Sequence, residues 1–363
     1  MKKMVRAAAL AGVVALALAA CGEAPEEEPP GDTATTEESD AVDFTGCMVT
    51  DAGGVDDRSF NAAAYAGLTA VEEEQGITVQ LVESTSDADY APNIQQLVQE
   101  DCGLIVTVGF LLGPATAEAA GANPEEKFAL IDSTLEEPLD NVKPLLFNTA
   151  EASYLAGYVA AGMTKTGTVA TFGGIPIPSV TIFMDGFSDG IDAFNEARGT
   201  DVQLLGWDKA AQDGSFVGNF EDQAAGQQLT QNFIQQGADI ILPVAGPVGL
   251  GAAAAAQETA GEVNLIWVDS DGYESAEQFQ SLFITSVLKK IDVAVQDATN
   301  AAIDDSFSSD PYVGTLENEG VGIAPYHDFE DAVPDDLKAE VDALREGIIA
   351  GDIVVESAAT PQS

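Results

Sequence analysis

An α/β fold built as two doubly wound parallel sheets is what the sequence predicts, on three observations. From residue 46 onward, short apolar runs alternate with amphipathic segments, the rhythm of strand–helix–strand units. The rhythm pauses at a run over 145–147 and then restarts, so two lobes of similar architecture are expected. The runs end on Gly, Asp and Ser, small or polar types suited to the carboxyl ends of strands, where wound sheets hold their ligands.

The elements follow in order. The strand 48–50 leads to a helix over 60–74, 78–83 to a helix over 90–99, and 104–108 to a helix over 115–121, with 128–131 as the next strand. After 145–147 come a helix over 151–164, a strand at 168–172, a helix over 180–196 and a strand at 202–205. A helix over 220–235, a strand at 239–244, a segment over 248–259 and a strand at 264–268 complete the second series. Helices over 288–302 and 335–350 finish the body, and no repeat of 20–50 residues is visible. Lobe 1 is expected to hold 44–148 plus about 270–310, and lobe 2 to hold 149–269 plus about 311–355.

The chain has 363 residues with 61 acidic against 13 basic side chains, a formal net charge of −48. That length suits two domains, and 46% hydrophobic content is that of a globular chain. Nucleic acid is excluded as a partner, because phosphate neutralisation needs clustered Lys and Arg. Polybasic attachment to anionic lipid fails for the same reason.

Three of the bases, Lys2, Lys3 and Arg6, precede fourteen apolar or small residues over 7–20. That is short of the roughly 20 residues that span a bilayer and reads as a signal peptide over 1–20. Leu18-Ala19-Ala20-Cys21 resembles the bacterial lipobox, which makes Cys21 a lipidated first residue; the competing reading is an ordinary signal peptide with a chance Cys. Residues 22–43 carry nine acids and no Lys or Arg, so 21–43 reads as a solvated, self-repelling tether on the extracytoplasmic face of the cell membrane. Cys47 and Cys102 then remain as an even pair in an oxidising compartment. Each opens an apolar run, so on neighbouring parallel strands they could form a disulfide; two separate core thiols are the alternative.

Asp51, Asp132 and Asp269 each follow an apolar run, and Gly109 and Gly246 do the same. Carboxylates accept hydrogen bonds from paired hydroxyls, and glycines let backbone approach a ligand. Enzymatic patterns are weak. Gly186-Phe187-Ser188-Asp189-Gly190 fits G-x-S-x-G, and Ser188, Asp269 and His327 stand in hydrolase order. A nucleophile elbow must follow a strand, however, whereas Val180, Phe183, Phe187, Ile191 and Phe194 recur at helical spacing and place Ser188 inside a helix. His327 is the sole histidine, so a multi-His metal site is excluded. No phosphate-binding loop motif exists, so any ATP hydrolysis lies on another chain, and no cofactor is expected.

Thr50-Asp51-Ala52-Gly53-Gly54-Val55-Asp56-Asp57-Arg58-Ser59-Phe60-Asn61 resembles the opening motif of the basic membrane protein family, substrate-binding lipoproteins of ABC importers that include purine nucleoside receptors. Val106-Thr107-Val108-Gly109-Phe110, Phe128-Ala129-Leu130-Ile131-Asp132, Val268-Asp269-Ser270-Asp271-Gly272 and Thr285-Ser286-Val287-Leu288-Lys289-Lys290 extend the likeness over roughly 45–355. The resemblance implies a type I periplasmic-binding-protein fold whose lobes are joined by a three-strand hinge. It implies a nucleoside, most naturally a purine nucleoside, captured between the lobes of a monomer and delivered to an ABC permease, with no catalysis. Phe60 would stack on the base, Asn61 would address a base edge, and Asp51, Asp132, Asp269 and Lys289 would hold ribose and base. Lys289 and its neighbour Lys290 fall in the expected helix, about 100° apart, so that one can face the cleft.

One departure concerns the second aromatic that sandwiches the base in the family. The loop 244–251 has none here, and Phe183 and Trp207 are the substitutes on offer. A sugar or other small polar ligand, a sensor role at a membrane receptor and, last, a Ser-type hydrolase are the rival readings. The surplus of acids on the body, 52 against 10 bases, resembles the surfaces of proteins from salty surroundings.

Overall fold

A computed structural model describes residues 42–361. The signal segment, Cys21 and nearly all of the tether lie outside the described residues. The first series comprises β1 (Thr45–Val49), α1 (Phe60–Gln75), β2 (Thr78–Val82), α2 (Tyr90–Val98), β3 (Leu104–Val108), α3 (Gly113–Ala122), β4 (Phe128–Ile131) and β5 (Val142–Phe147). The second comprises α4 (Thr149–Met163), β6 (Thr168–Gly173), α5 (Pro178–Arg198), β7 (Gln203–Leu205) and a short hairpin of β8 (Trp207–Asp208) and β9 (Asp213–Gly214). It continues through α6 (Gln223–Gln235), β10 (Ile240–Val244), α7 (Val248–Gln257), β11 (Asn264–Asp269), α8 (Gly272–Ser275) and β12 (Phe283–Lys289). Then come α9 (Ile291–Ile303), β13 (Tyr312–Gly314), β14 (Val321–Ile323) and α10 (Asp335–Ile349).

Two sheets result, ordered β2-β1-β3-β4-β5-β13 and β7-β6-β10-β11-β12-β14. Their first five strands are wound identically, and every pair is parallel except β12 with β14. The inner strands β3 and β4 are buried at every residue, as parallel strands covered on both faces must be. On β1, Met48 faces the core under α1 and α9, while Cys47 and Val49 face the core under α2 and α3. The structure contains the Cys47–Cys102 disulfide, with Cα atoms 5.9 Å apart, tying β1 to the start of β3.

In the second lobe α4 and α5 pack closely, and this accounts for the G-x-S-x-G sequence. A Cβ on Gly186 would stand 2.2 Å from the Ala150 carbonyl oxygen, and one on Gly190 would stand 2.0 Å from that of Tyr154. These glycines allow two helix backbones to touch. Asp269 is bound to Ser59 and His327 to Asp271, so the hydrolase residues are not assembled.

The chain passes between the sheets three times, at 148, at 290 and over 315–320. The second and third crossings differ from the expected lobe boundaries near 270 and 311. Residues 283–289 form β12, which pairs with β11 and stays in lobe 2, whereas β13 pairs with β5 in lobe 1. The expected helix over 288–302 therefore begins only at Ile291, because Phe283, Ile284, Thr285 and Val287 are buried strand residues. Lys289 consequently closes a strand and Lys290 precedes a helix, so strand alternation rather than helical rotation separates them. The expected helix over 220–235 begins at Gln223, where the Asp222 carboxylate accepts the Ala225 N–H and caps it, leaving Phe220 in the preceding loop.

Candidate ligand-binding site

In both sheets the winding reverses direction beside the first strand of the lobe, between β1 and β3 and between β6 and β10. Ligands of wound sheets sit outside such switch points. The two switch points share one cavity, lined from lobe 1 by residues following β1, β3 and β4, and from lobe 2 by residues following β6 and β10 and at the ends of β11 and β12. It encloses about 590 Å³ of atom-free space, its open mouth included. Asp51, Phe60, Asn61, Gly109, Asp132, Gly246, Asp269 and Lys289 all line it.

Each is held by local structure. Phe60 opens α1, whose N-terminus is organised by Asp57: one carboxylate oxygen accepts the Ser59 and Ala62 N–H groups, and the other accepts that of Asn61. Asn61 is fully engaged as a donor, giving its amide hydrogens to Asp51 Oδ1 (2.7 Å) and Asp57 Oδ2 (3.1 Å) while its Oδ1 accepts the Asp51 N–H. Asn61 therefore orients Asp51, and only an acceptor lone pair remains for a ligand. The Gly53 N–H completes the hold on Asp51 Oδ1. Gly109, at φ +115°, takes a backbone shape that other residues rarely adopt. A Cβ there would come 3.4 Å from the Phe60 ring and 3.5 Å from Asp51 Oδ2.

Asp132 and Asp269 both stand in the left-handed region, at φ +63° and +68°, a conformation that Asp tolerates better than most and that turns the end of a strand sharply. Their carboxylates converge on Lys289, which is ion-paired with Asp132 and 4.0 Å from Asp269 Oδ1. The ammonium also lies 4.7 Å from the Phe60 ring centroid, 5.3 Å from that of Phe147 and 5.9 Å from that of Phe183. Burial raises the carboxyl pKa of Asp132 and Asp269, opposed by the Lys289 charge. Burial pushes Asp51 up to about 6 against its hydrogen bonds from Asn61 and Gly53, and Asp57 up to about 7 against three backbone N–H groups.

Trp207 lies outside the cavity, its indole N–H donating to the buried Asp185. Phe183 and Phe220 do line it, and Phe110 adds a third ring. Phe220 was hidden in the sequence by its assignment to a helix. Asp57 and Ser59 were also missed as supporting groups. The signal for them was Asp-x-Ser immediately before an apolar helical run, the pattern of a capped N-terminus. Charge, aromatic faces and hydrogen-bonding carboxylates thus meet where two wound sheets oppose each other, an arrangement suited to holding a small polar solute with a flat ring.

Residues 44–358 match the Bmp family, described as ABC transporter substrate-binding protein PnrA-like. The chain belongs to this family. It is a family of solute-binding components of ABC transporters, not of enzymes, so a solute ligand and membrane permease subunits are its partners. The CD4+ T-cell-stimulating antigen of Listeria innocua is 32% identical, over 98% of this chain and 99% of that protein. An ABC transporter nucleoside-binding protein, BmpA, of Lactococcus lactis subsp. cremoris is 30% identical over 87% of this chain and 90% of its own. Among solved structures, an ABC transporter solute-binding protein from Aeropyrum pernix K1 superposes with a TM-score of 0.79 at 27% identity, covering 88% of this chain and 94% of the other. The periplasmic-binding-protein fold of these transporters is thus the fold of this chain.

Proposed function

We propose that the protein captures a nucleoside, with a purine base favoured, between its lobes for delivery to an ABC importer. The observation that carries this reading is the pairing, in one cavity, of Phe60 with Phe183 and Phe220 on the opposite lobe, beside the carboxylates of Asp51, Asp132 and Asp269. Aromatic faces accept a base by stacking, and vicinal ribose hydroxyls suit carboxylates held in place by other groups. Asp51 Oδ2, the oxygen not engaged by Asn61 or Gly53, is the natural acceptor for one hydroxyl. Lys289, neutralised by Asp132 and Asp269, holds these two carboxylates and presents an N–H to the solute. The relative named as a nucleoside-binding protein supports the same ligand class. Phe183 and Phe220 supply the second ring that loop 244–251 lacks, which favours a nucleoside over a sugar.

Lipidation at Cys21 would anchor the protein to the extracytoplasmic face of the membrane, with the acidic segment as spacer and the body a monomer. No helix among the described residues is long and apolar enough to cross a membrane. A thermal-shift panel of nucleosides, free bases and sugars tests the ligand class. Stabilisation by purine nucleosides is expected, and stabilisation by sugars alone would overturn the reading.

A further inference from the structure

Arg58 and Ser59 belong to lobe 1, just before α1, yet their hydrogen bonds lead into lobe 2. The Arg58 carbonyl accepts the Trp267 indole N–H at 3.2 Å and the Ser270 hydroxyl at 2.9 Å. Ser59 Oγ lies 2.7 Å from Asp269 Oδ2 and 3.2 Å from the Val268 carbonyl, both acceptors for its proton. The two Ser59 contacts are buried, whereas those to the Arg58 carbonyl are partly or fully open to solvent. Arg58 stands at φ +60°, a shape that a residue with a side chain keeps only when its surroundings hold it. The two donors to its carbonyl are such a hold.

All these partners sit at the end of β11, next to the hinge strand β12. At the other end of the cleft, Thr85, Ser86 and Ala88 of lobe 1 face Gly218, Asn219 and Glu221 of lobe 2 across a chamber that adjoins the ligand cavity. Among the described residues no hydrogen bond joins those two loops. One end of the cleft is therefore tied by protein–protein bonds, and the other is left free to part.

We propose that Arg58, Ser59, Trp267 and Ser270 form a closure latch that populates the closed arrangement of the lobes independently of the solute. A hydrogen bond fails beyond about 3.5 Å, so hinge opening that displaces Arg58 from β11 breaks all of these bonds together. The latch also shapes the site, because Ser59 restrains one oxygen of Asp269 while the other faces Lys289. Asp269 is thus fully oriented only when the lobes have met. By adding to the closed population, the latch raises apparent affinity for any solute that binds the closed form. The inference rests on the cleft being the solute site and not on which solute occupies it.

The test places spin labels at Ala88→Cys and Glu221→Cys, on opposite walls of the chamber, and measures their separation by double electron–electron resonance without solute. A short-separation population is expected in the otherwise wild-type protein. Its ratio to the long-separation population should fall about tenfold or more in Ser59→Ala/Ser270→Ala, as loss of the buried Ser59 bond to a carboxylate together with the Ser270 bond predicts. Trp267→Phe, which keeps the ring bulk and removes the indole N–H, provides a second variant should the first fold poorly. A wild-type distribution at long separation only, or a ratio changed by less than about twofold in both variants, would overturn the proposal. Because no solute enters the measurement, its outcome is separate from that of the nucleoside reading.

Discussion

Asp51 is a half-buried carboxyl whose oxygen Oδ1 is fixed by Asn61 and Gly53, and whose environment favours the protonated form. A folded-state pKa of about 6, against the ordinary Asp value of 3.8, means that the folded chain binds more protons than the unfolded one between those values. Stability from this group is therefore fully present below about pH 4 and is lost as pH rises through about 6. Asp57, at about 7, acts in the same direction. The melting temperature of the solute-free protein should fall between pH 4.5 and 7, as a consequence of these assignments. Asp51→Asn should flatten that fall, and an equal slope in the variant would contradict a contribution from Asp51. Solute that donates a hydroxyl to the ionised Asp51 should bind better above pH 6 than below it.

At the scale of elements, β3 and β4 were legible as short runs made almost wholly of apolar residues. The helix α5 was legible through its stripe of Val180, Phe183, Phe187, Ile191 and Phe194. What escaped was β12, whose apolar run is interrupted by Thr285 and Ser286 and ends at Lys289, beside Lys290, a pair that suits a helix. The three-residue strands β13 and β14 are too short to carry a pattern, and they exist because tertiary pairing selects them. The site shared this division. Residues ending strands declared themselves, whereas Phe220 depended on where Asp222 caps α6, and Ser59 on a contact 210 positions away in the chain.

Two predictions belong to this scale. Gly190→Ala would drive a methyl group into the Tyr154 carbonyl, and overpacking of that kind costs about 1–3 kcal/mol or more; calorimetry should show a lowered melting temperature with the fold retained. Reduction of Cys47–Cys102 opens a loop closed across a sequence separation of 55. Chain entropy for a loop of that size corresponds to about 4 kcal/mol. Denaturant melts with and without reductant should separate accordingly, and coincident melts would contradict the disulfide's contribution.

The whole molecule is dominated by its charge. Of ten bases in the body, Arg198 pairs with Asp336 and Glu340, Lys209 with Asp189, Lys338 with Glu330 and Lys289 with Asp132, which engages only five of the body's 52 acids. Most carboxylates therefore repel one another across solvent, over distances that salt screens within about 10 Å at 0.1 M. The melting temperature should rise markedly from low salt to molar salt, and a flat dependence would contradict this reading of the surface. The proposed binding function rests on a much smaller set, in which four carboxylates and one lysine gather around aromatic rings between the lobes.

That division can be tested at its centre by isothermal titration calorimetry of the soluble body with a purine nucleoside, in the native sequence and in Phe60→Ala and Asp269→Ala. Saturable one-to-one binding is predicted for the native protein, with affinity lowered at least about tenfold in each variant, corresponding to loss of a stacking face or of a held carboxylate. Unchanged affinity in both variants, or no heat from any nucleoside while a sugar binds, would contradict the account.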